Sequence, residues 1–564
     1  MTAAIYPTAK SPPARAVRPG VVTAVVCLAL DAYSLVFASL LLPAGAIGDR
    51  FGRRWVLIAG LSIFGAASAV AMTANSAGEL IGLRAVMGLG AALVMPATLS
   101  TITGTFASEQ RTRAVSIWAA VAGGAAVLGL LVSGAVLQVW SWPSVFALNV
   151  ILAAAAIAGT IRFVPESADP DTPRLDISGA ILAVIGLVAL VYSIIEAPSE
   201  GWLSARTLAG LAAGLVVLVG FVGWELRRRA PMIDPRVFAR PALAAGSLSI
   251  FVQFFALFGF IFIVLQYLQL IRGDSGLVSA VSMLPMAAAM LPTSRLAPAL
   301  VDRLGARAVC TTGLALIAAA LVILAQLTGT SGYWLLAVGL IPLGIGMGLA
   351  MTPATSNITS ALPASQQGVA SALNDLSREV GGAVGIAVLA SILTAAYQSN
   401  LHLAHIPAAQ AGSARSSVAV ATRLGPAVAA QAHSAFTDGM HLALYIAAGI
   451  VLAAAITVGT LLRGRGRRNV MTGVHQRSIS SAAAGMRAGS PRSSSCAAGC
   501  SSSAMHAPGR PLRSVSLPAT ANSQNMFSNS AGETWPPSPP SSAWASRIDI
   551  TSSPGRRRFS CARR

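Results

Sequence analysis

The sequence predicts an all-α, polytopic membrane protein, and two observations support this fold class. Of the 564 residues, 55% are hydrophobic and only 10% are charged, and the mean hydropathy is +0.70, which does not fit a soluble globular protein. The chain also divides into windows of about 20 mainly apolar residues, the length that a helix needs to cross the hydrocarbon core. Because lipid cannot satisfy free backbone polar groups, each window is expected to be a helix.

Thirteen windows qualify as predicted spans. They run over residues 21–44, 56–74, 80–103, 114–137, 143–163, 176–196, 207–225, 244–271, 277–299, 308–327, 333–356, 368–395 and 438–462. We expect five domains or segments: a polar N-terminal segment 1–20, a five-span bundle 21–163, a central two-helix insertion 176–226, a six-helix bundle 242–462 and a basic Ser/Pro/Arg-rich disordered tail 463–564.

Arginine placement predicts the orientation of these spans, because cytoplasmic loops retain positive charge. Alternate loops carry most of the arginines of the hydrophobic body: Arg50, Arg53, Arg54, Arg111, Arg113, Arg174, Arg227, Arg228, Arg229, Arg236, Arg240, Arg303 and Arg307. These loops, and the C-terminus with them, are therefore predicted to be cytoplasmic. Most of the formal net charge of +20 lies in the tail, so it gives no reason to expect a nucleic-acid partner.

An internal repeat marks two of the basic loops. The stretch DRFGRR at 49–54 recurs as DRLGAR at 302–307, each time directly after a predicted span. We interpret the two copies as a conformational gate formed by Gly45, Asp49, Arg50, Gly52, Arg53 and Arg54 and by Asp302, Arg303, Gly305 and Arg307. Simple anchoring of the arginines at the membrane surface is the alternative. The second copy follows two spans of its bundle and the first follows one, so a first span is expected to be missing.

Four charged residues within apolar segments are candidates for proton coupling or substrate binding, because such charges are costly in a bilayer unless they face protein or water. Asp31 can attract a cation or carry a proton, or it can lie at the outer interface. Arg84 can face the interior or reach the interface along its own stem. Asp375 and Arg378 share a helix face with Glu379 and can form a gate or a solvated helix end.

Five glycines are predicted to let neighbouring helices pack closely: Gly88, Gly90, Gly124, Gly129 and Gly134. The five cysteines include no C-x-x-C pair, so we expect no metal site. No G-x-x-x-x-G-K-[ST] loop occurs, which argues against direct use of ATP. The chain is therefore predicted not to be an enzyme and to need no cofactor, and its oligomeric state stays open.

Several stretches together resemble the major facilitator superfamily, in particular its fourteen-span drug:proton antiporters. They are DAYSLVFASLLLPAGAIGDRFGRR from 31, RAVMGLGAALVMPA from 84, SWPSVFALNV at 141–150, QYLQL at 266–270, GIGMGLAMTPA at 344–354 and SALNDLSREVGGAVGIAV at 371–388. The resemblance implies two pseudo-repeated helix bundles that rock around a midplane cavity, joined by a central helix pair. It also associates Arg84, with Gly88 and Gly90, with proton coupling.

The same resemblance implies a function. It predicts export of amphipathic or cationic small molecules across the bacterial cytoplasmic membrane, driven by the proton motive force, with protons and the lipid bilayer as the other partners. Leu130 and Ser133 depart from the family's glycine and proline pattern, and the acidic motif of the family's first span has no counterpart. A truncated, inactive transporter and a solute:proton symporter are the alternatives.

Overall fold

The computed structural model describes residues 19–106, 108–166, 175–228, 231–402, 411–412, 414–415 and 417–464. Of residues 19–31 only the helical backbone is described, so the side chain of Asp31 lies outside the described part. The predicted polar segment, up to residue 18, and the predicted basic tail, from residue 465, also lie outside it.

Seven helices make up the first part of the chain, and short connections separate most of them. They are α1 Pro19–Phe51, α2 Arg53–Ala71, α3 Ala77–Thr105, α4 Ser108–Val139, α5 Pro143–Phe163, α6 Ile177–Glu200 and α7 Ala205–Arg227. Polar side chains set several of the starts. Ser76, Asp176 and Ser204 each accept a hydrogen bond from a backbone N–H of the first turn that follows.

Among the described residues, six more helices of at least seven residues follow a short 3-10 turn, Pro235–Ala239, and a four-residue helix, Val418–Ala421, precedes the last of them. They are α8 Pro241–Gln266, which continues as a π-helical turn over Tyr267–Ile271, then α9 Gly276–Ser282, α10 Leu284–Leu324, α11 Tyr333–Thr359, α12 Gln367–Asn400 and α13 Pro426–Leu461.

These helices account for every predicted window. Eleven helical segments are long and apolar enough to cross a membrane, and one of them, Gly276–Leu324, covers the two windows predicted at 277–299 and 308–327. The window predicted at 114–137 lies within α4. The prediction of an all-helical polytopic protein is therefore confirmed, whereas the grouping of the spans into bundles stays a prediction.

Both copies of the repeat make the same backbone turn. Gly52, between α1 and α2, has a φ of 102°, and Gly305, within α10, has a φ of 83°. Residues with a Cβ rarely adopt positive φ, whereas glycine adopts it without steric cost. The glycine of each motif therefore bends the chain sharply where one predicted span ends and the next begins.

Helix packing brings the first five helices against the later ones in two places. On one side α1 and α3 pack on α12, and on the other α4 packs on α10 and α11. The central helix α6 contacts both α1 and α12, while α7 packs mainly on α6. Trp202, between α6 and α7, donates a hydrogen bond of 2.8 Å to Ser391 Oγ of α12, which fastens one end of the central pair.

A pair of glycine substitutions tests the role of the repeat turn. Gly305→Ala should lower the free energy of unfolding by about 1–2 kcal/mol, because alanine must adopt a left-handed backbone conformation there. Gly129→Ala is the matched control, because Gly129 is helical with open space around its Cα and alanine favours helix. The thermal midpoint of purified protein should fall for the first variant only; equal midpoints would contradict the prediction.

Candidate functional site

The carboxylate of Asp49 joins α1 to α12. Asp49 is 3% exposed, and its two oxygens accept hydrogen bonds from the backbone N–H of Gly368 at 2.7 and 2.8 Å and from that of Val369 at 3.2 Å. Both amides belong to the first turn of α12, where backbone N–H groups lack partners within the helix. Gln366, the N-cap of α12, makes no side-chain cap hydrogen bond. Asp49 therefore caps a helix that begins 318 residues later in the chain.

Arg53 balances this buried charge. It is 4% exposed and donates to Asp49 Oδ1 from Nε at 3.3 Å and from Nη2 at 3.0 Å. The same guanidinium donates to the carbonyl oxygens of Ser100 in α3, at 3.2 Å, and of Ala364, just before α12, at 3.3 Å. We call these contacts of Asp49 and Arg53 the Asp49 lock, because they connect α1, α2 and α3 to the start of α12.

Two glycines allow this close approach. A Cβ at Gly45 would overlap the carbonyl oxygen of Gly368, and a Cβ at Gly368 would lie 2.8 Å from the carboxyl carbon of Asp49. Backbones can approach to this distance only where both residues lack side chains. Gly45 was assigned from the sequence to the conformational gate, and Gly48 of the same segment faces open space.

The second copy of the repeat makes no such lock. Asp302, Arg303, Gly305 and Arg307 are all exposed, and none forms an ion pair within 4 Å with a described side chain. The neighbouring Val301 and Ala306 instead line a polar cavity of about 250 Å³ between α4, α10 and α11. Both motifs were predicted to take part in a conformational gate, and in the structure only the first one connects α1 and α2 to α12.

Asp375 and Arg378, for which the sequence left open a gate or a solvated helix end, lie in the interior and contact each other. Asp375 is 1% exposed, and its Oδ1 lies 3.5 Å from Nη1 of Arg378. The guanidinium also lies over the rings of Trp118 in α4, at 5.6 Å, and of Phe254 in α8, at 4.5 Å. A cation between two aromatic faces is attracted to both. Arg378 thus connects α12 to a helix on either side of it.

Arg84 also lies between the packed helices, but it takes no part in the ion pair of Asp375 and Arg378. Its guanidinium lies over the ring of Tyr33 in α1, at 5.3 Å. Tyr33 interacts electrostatically with both Arg84 and Glu379, and Glu379 interacts with Arg378 and Asp375. Tyr33 therefore lies between the arginine of α3 and the charged residues of α12.

The charged residues lie at successive distances along the helix axes from the Asp49 lock. With a rise of about 1.5 Å per residue, Asp375 lies about 12 Å and Glu379 about 18 Å from the start of α12, the level of the Asp49 lock. Tyr33 lies about 27 Å from the end of α1 at that same face. We call Asp375, Arg378, Glu379, Tyr33 and Arg84, together with the rings of Trp118 and Phe254, the interior series. It begins behind the lock and extends toward the opposite face of the membrane.

Three aromatic residues of this site were not singled out from the sequence. Tyr33 is one of many aromatic residues in apolar segments, and Trp118 and Phe254 lie on helices distant in sequence from Arg378. The only available signal was Arg378 itself, because a cation in a bilayer needs partners. Aromatic partners carry no charge, so counting charges could not have identified them.

The predicted packing glycines fall into three classes. Gly88 and Gly90 of α3 approach the backbones of α1 and α2, where an added Cβ would lie 2.6 Å from Tyr33 O and 2.7 Å from Phe64 N. A Cβ added at Gly124 of α4 would lie 3.3 Å from Leu291, which is tighter than ordinary packing, and one at Gly134 would lie 3.5 Å from Leu277, an ordinary packing distance. Gly129 faces open space, so the structure does not place it at a helix contact.

Within the described ranges, no three His, Cys, Asp or Glu side chains come together in a way that could hold a metal ion. The departures noted at Leu130 and Ser133 lie on α4, and the side chain of Leu130 is outside the described part.

Comparison with known proteins gives a consistent result. Residues 20–386 match the family model described as Major Facilitator Superfamily. The chain is 34% identical to the multidrug efflux pump LfrA of Mycolicibacterium smegmatis, over 77% of this chain and 88% of the relative. It is also 34% identical to the methyl viologen resistance protein SmvA of Salmonella typhimurium, over 76% and 88%. The human organic anion transporter MFSD10 shares the fold, with a TM-score of 0.53 at 16% identity, over 77% of this chain and 83% of that protein.

Neutralising Asp49 should release the lock. Asp49→Asn removes the charge that pairs with buried Arg53, and loss of one partner of a buried ion pair costs about 3–5 kcal/mol. We expect the junction of α1 and α12 to open, so that a cysteine introduced at buried Ala372 reacts faster with a maleimide. Asp302→Asn, the same substitution in the exposed copy, should leave this labelling rate unchanged. Equal labelling rates in the two variants would show that Asp49 does not hold α1 against α12.

The aromatic faces around Arg378 give a second prediction. Arg378→Lys keeps the positive charge but loses the planar group that lies between Trp118 and Phe254, so the free energy of unfolding should fall by about 1–2 kcal/mol. The matched control is Arg303→Lys at an exposed position, which should have no effect. The measurement is the thermal midpoint of each purified variant. A lower midpoint in both variants, or in neither, would contradict a stabilising role of the aromatic contacts of Arg378.

Proposed function

The chain belongs to the Major Facilitator Superfamily, and on that premise we propose that it exports cationic or amphipathic small molecules in exchange for protons. As a member of this family it is a transporter with many membrane-spanning helices, and family members are in general not enzymes. The observation that carries the proposal is the interior series, in which carboxylates, arginines and aromatic rings from α1, α3, α4, α8 and α12 face one another between the packed helices.

The interior series suits a cationic ligand. Asp375 and Glu379 supply negative charge, and the ring faces of Tyr33, Trp118 and Phe254 attract cations and stack on flat apolar groups. In the structure Arg378 lies over the rings of Trp118 and Phe254 and pairs with Asp375, while Arg84 lies over the ring of Tyr33. A ligand cation that displaces the guanidinium would find the same carboxylate and the same rings.

Proton coupling follows from competition for the same carboxylates. A proton on Asp375 or Glu379 removes the negative charge that a cationic substrate needs, so proton and substrate bind in alternation. Each ligand then favours a different arrangement of the helices. The relatives named as an efflux pump and a resistance protein support export as the direction.

Alternating access would operate through the Asp49 lock. The lock closes the interior series at the membrane face that carries the two repeat motifs, and we propose that this face is cytoplasmic because its loops are rich in arginine. The described state would then be closed to the cytoplasm, with the C-terminus on that same side. The membrane would be the bacterial cytoplasmic membrane, where a proton gradient supplies the energy.

The test uses inside-out vesicles from cells without their main efflux pumps, with ethidium as the substrate. An imposed gradient, acidic inside, should drive ethidium into vesicles that contain the wild-type chain, and a protonophore should abolish the uptake. Asp375→Asn should lower gradient-driven uptake at least tenfold, because it removes the group shared by proton and substrate, and ethidium exchange without a gradient should weaken for the same reason. Asp438→Asn, at an exposed position of α13, is the matched control and should transport normally.

The same assay separates the alternatives. Movement of ethidium together with protons, rather than against them, would identify a symporter. Loss of gradient-driven uptake in both variants, or full uptake in Asp375→Asn, would refute the assigned role of Asp375. Failure of the well-inserted wild-type chain to move ethidium in either direction would contradict the proposed export of such cations.

A further inference from the structure

The polar cavity between α4, α10 and α11 shares no lining residue with the Asp49 lock or the interior series. Its volume is about 250 Å³. Pockets for drug-sized ligands are larger, about 300–1,000 Å³. Six of its nine lining residues are polar: Arg111, Thr112, Ser356, Asn357, Thr359 and Ser360. We call it the Arg111 cavity. Its size and its lining suit a small polar group better than a drug-sized molecule or an alkyl chain.

Arg111, near the start of α4, brings a positive charge to this cavity. No hydrogen bond or ion pair between described residues includes Arg111, and its Nε is buried without a partner. No described residue that lines the cavity is acidic. Asp302, next to the lining residue Val301, is exposed and forms no ion pair with a described side chain. The described residues therefore leave the charge of Arg111 unbalanced.

The end of α11 forms the opposite wall, and its carbonyl groups do not supply the missing partner. An arginine beside a helix C-terminus commonly donates to the last four carbonyl oxygens, which lack partners within the helix. In α11 each of these four oxygens already accepts another hydrogen bond. The acceptors are Ser356, Asn357, Ile358 and Thr359, and the donors are the backbone N–H of Ser360, Ser360 Oγ, the backbone N–H of Ala361 and Gln367 Nε2, respectively.

Ser356 of α11 adds a second donor without a partner. A serine within a helix often donates to the carbonyl oxygen four residues earlier, as Ser371 and Ser377 of α12 do. The hydroxyl of Ser356 is buried and makes no such bond to any described residue. A guanidinium on α4 and a hydroxyl on α11 thus border one small cavity, and both can donate to an acceptor placed there.

We propose that the Arg111 cavity binds a phosphate group, which accepts hydrogen bonds from Arg111 and Ser356. Guanidinium groups bind phosphate oxygens through paired, charge-assisted hydrogen bonds, and the start of α4 adds the positive end of a helix dipole. Inorganic phosphate and the head group of an anionic phospholipid both present this chemistry. The ligand would hold α4 against α11, beside the repeat motif that makes no lock of its own. The site requires binding only, so it does not depend on proton coupling or on the direction of transport.

The experiment measures binding of radiolabelled inorganic phosphate and of radiolabelled dioctanoyl phosphatidic acid to the full chain in dodecyl maltoside, over the binding to protein-free micelles. Arg111→Gln should weaken saturable binding at least about tenfold. Arg113→Gln, the same substitution at an exposed position of α4, is the matched control and should leave binding unchanged. Equal binding by the two variants, or no saturable binding of either ligand to the wild-type chain, would overturn the proposal.

A second variant keeps the test valid where Arg111→Gln does not fold. Ser356→Leu removes the hydroxyl and fills part of the cavity without a change of charge, so it should also weaken binding at least about tenfold. Ser62→Leu, at an exposed position of α2, is its control and should bind as the wild-type chain does. Undiminished binding by Ser356→Leu would show that phosphate binds elsewhere and would overturn the proposal.

Displacement of the bound radiolabel distinguishes the two sources of the phosphate group. Unlabelled dioctanoyl phosphatidic acid should act at concentrations at least about tenfold lower than inorganic phosphate if the ligand is a lipid head group, whereas comparable concentrations identify free phosphate. Dioctanoyl glycerol has the same acyl chains without the phosphate and should displace nothing. Displacement by dioctanoyl glycerol would show that the site takes acyl chains and would overturn the proposal.

Discussion

The junction between α1 and α12 depends on the hydrogen bonds of the buried Asp49 carboxylate. A carboxylate without partners in a low-dielectric interior costs several kcal/mol, so it stays charged only where donors surround it. Here Arg53 and two backbone amides of α12 supply those donors. The amides come from a helix end that would itself lack partners, because Gln366 makes no side-chain cap hydrogen bond. Each side satisfies the other, so separating α1 from α12 leaves both a charge and a helix end exposed.

The two copies of the repeat have similar sequences but make different contacts. Both copies bend the chain at a glycine with positive φ, because the backbone turn depends on local sequence alone. The lock depends on the helix that packs against the motif. Of the two aspartates, only Asp49 contacts the N-terminus of a neighbouring helix, and it does so beside Gly368. Asp302 is exposed beside a polar cavity.

The sequence predicts the helices well because their cause is local. An apolar window of sufficient length forms a helix wherever it is placed in a bilayer, and all thirteen windows lie in helices. The site was predicted only where a charge had to be explained, as for Asp375, Arg378 and Arg84. The capping of α12 by Asp49 joins residues 319 positions apart, and Trp118 and Phe254 act through ring faces that resemble any apolar packing residue in the sequence. Such contacts are set by tertiary packing, which periodicity does not reveal.

The central helix pair is connected to both sides of the Asp49 lock. Helix α6 packs on α1 and is connected to α12 through Trp202 and Ser391, so it contacts both helices that the Asp49 lock joins. If α1 and α12 separate when the lock opens, α6 cannot keep both contacts unchanged.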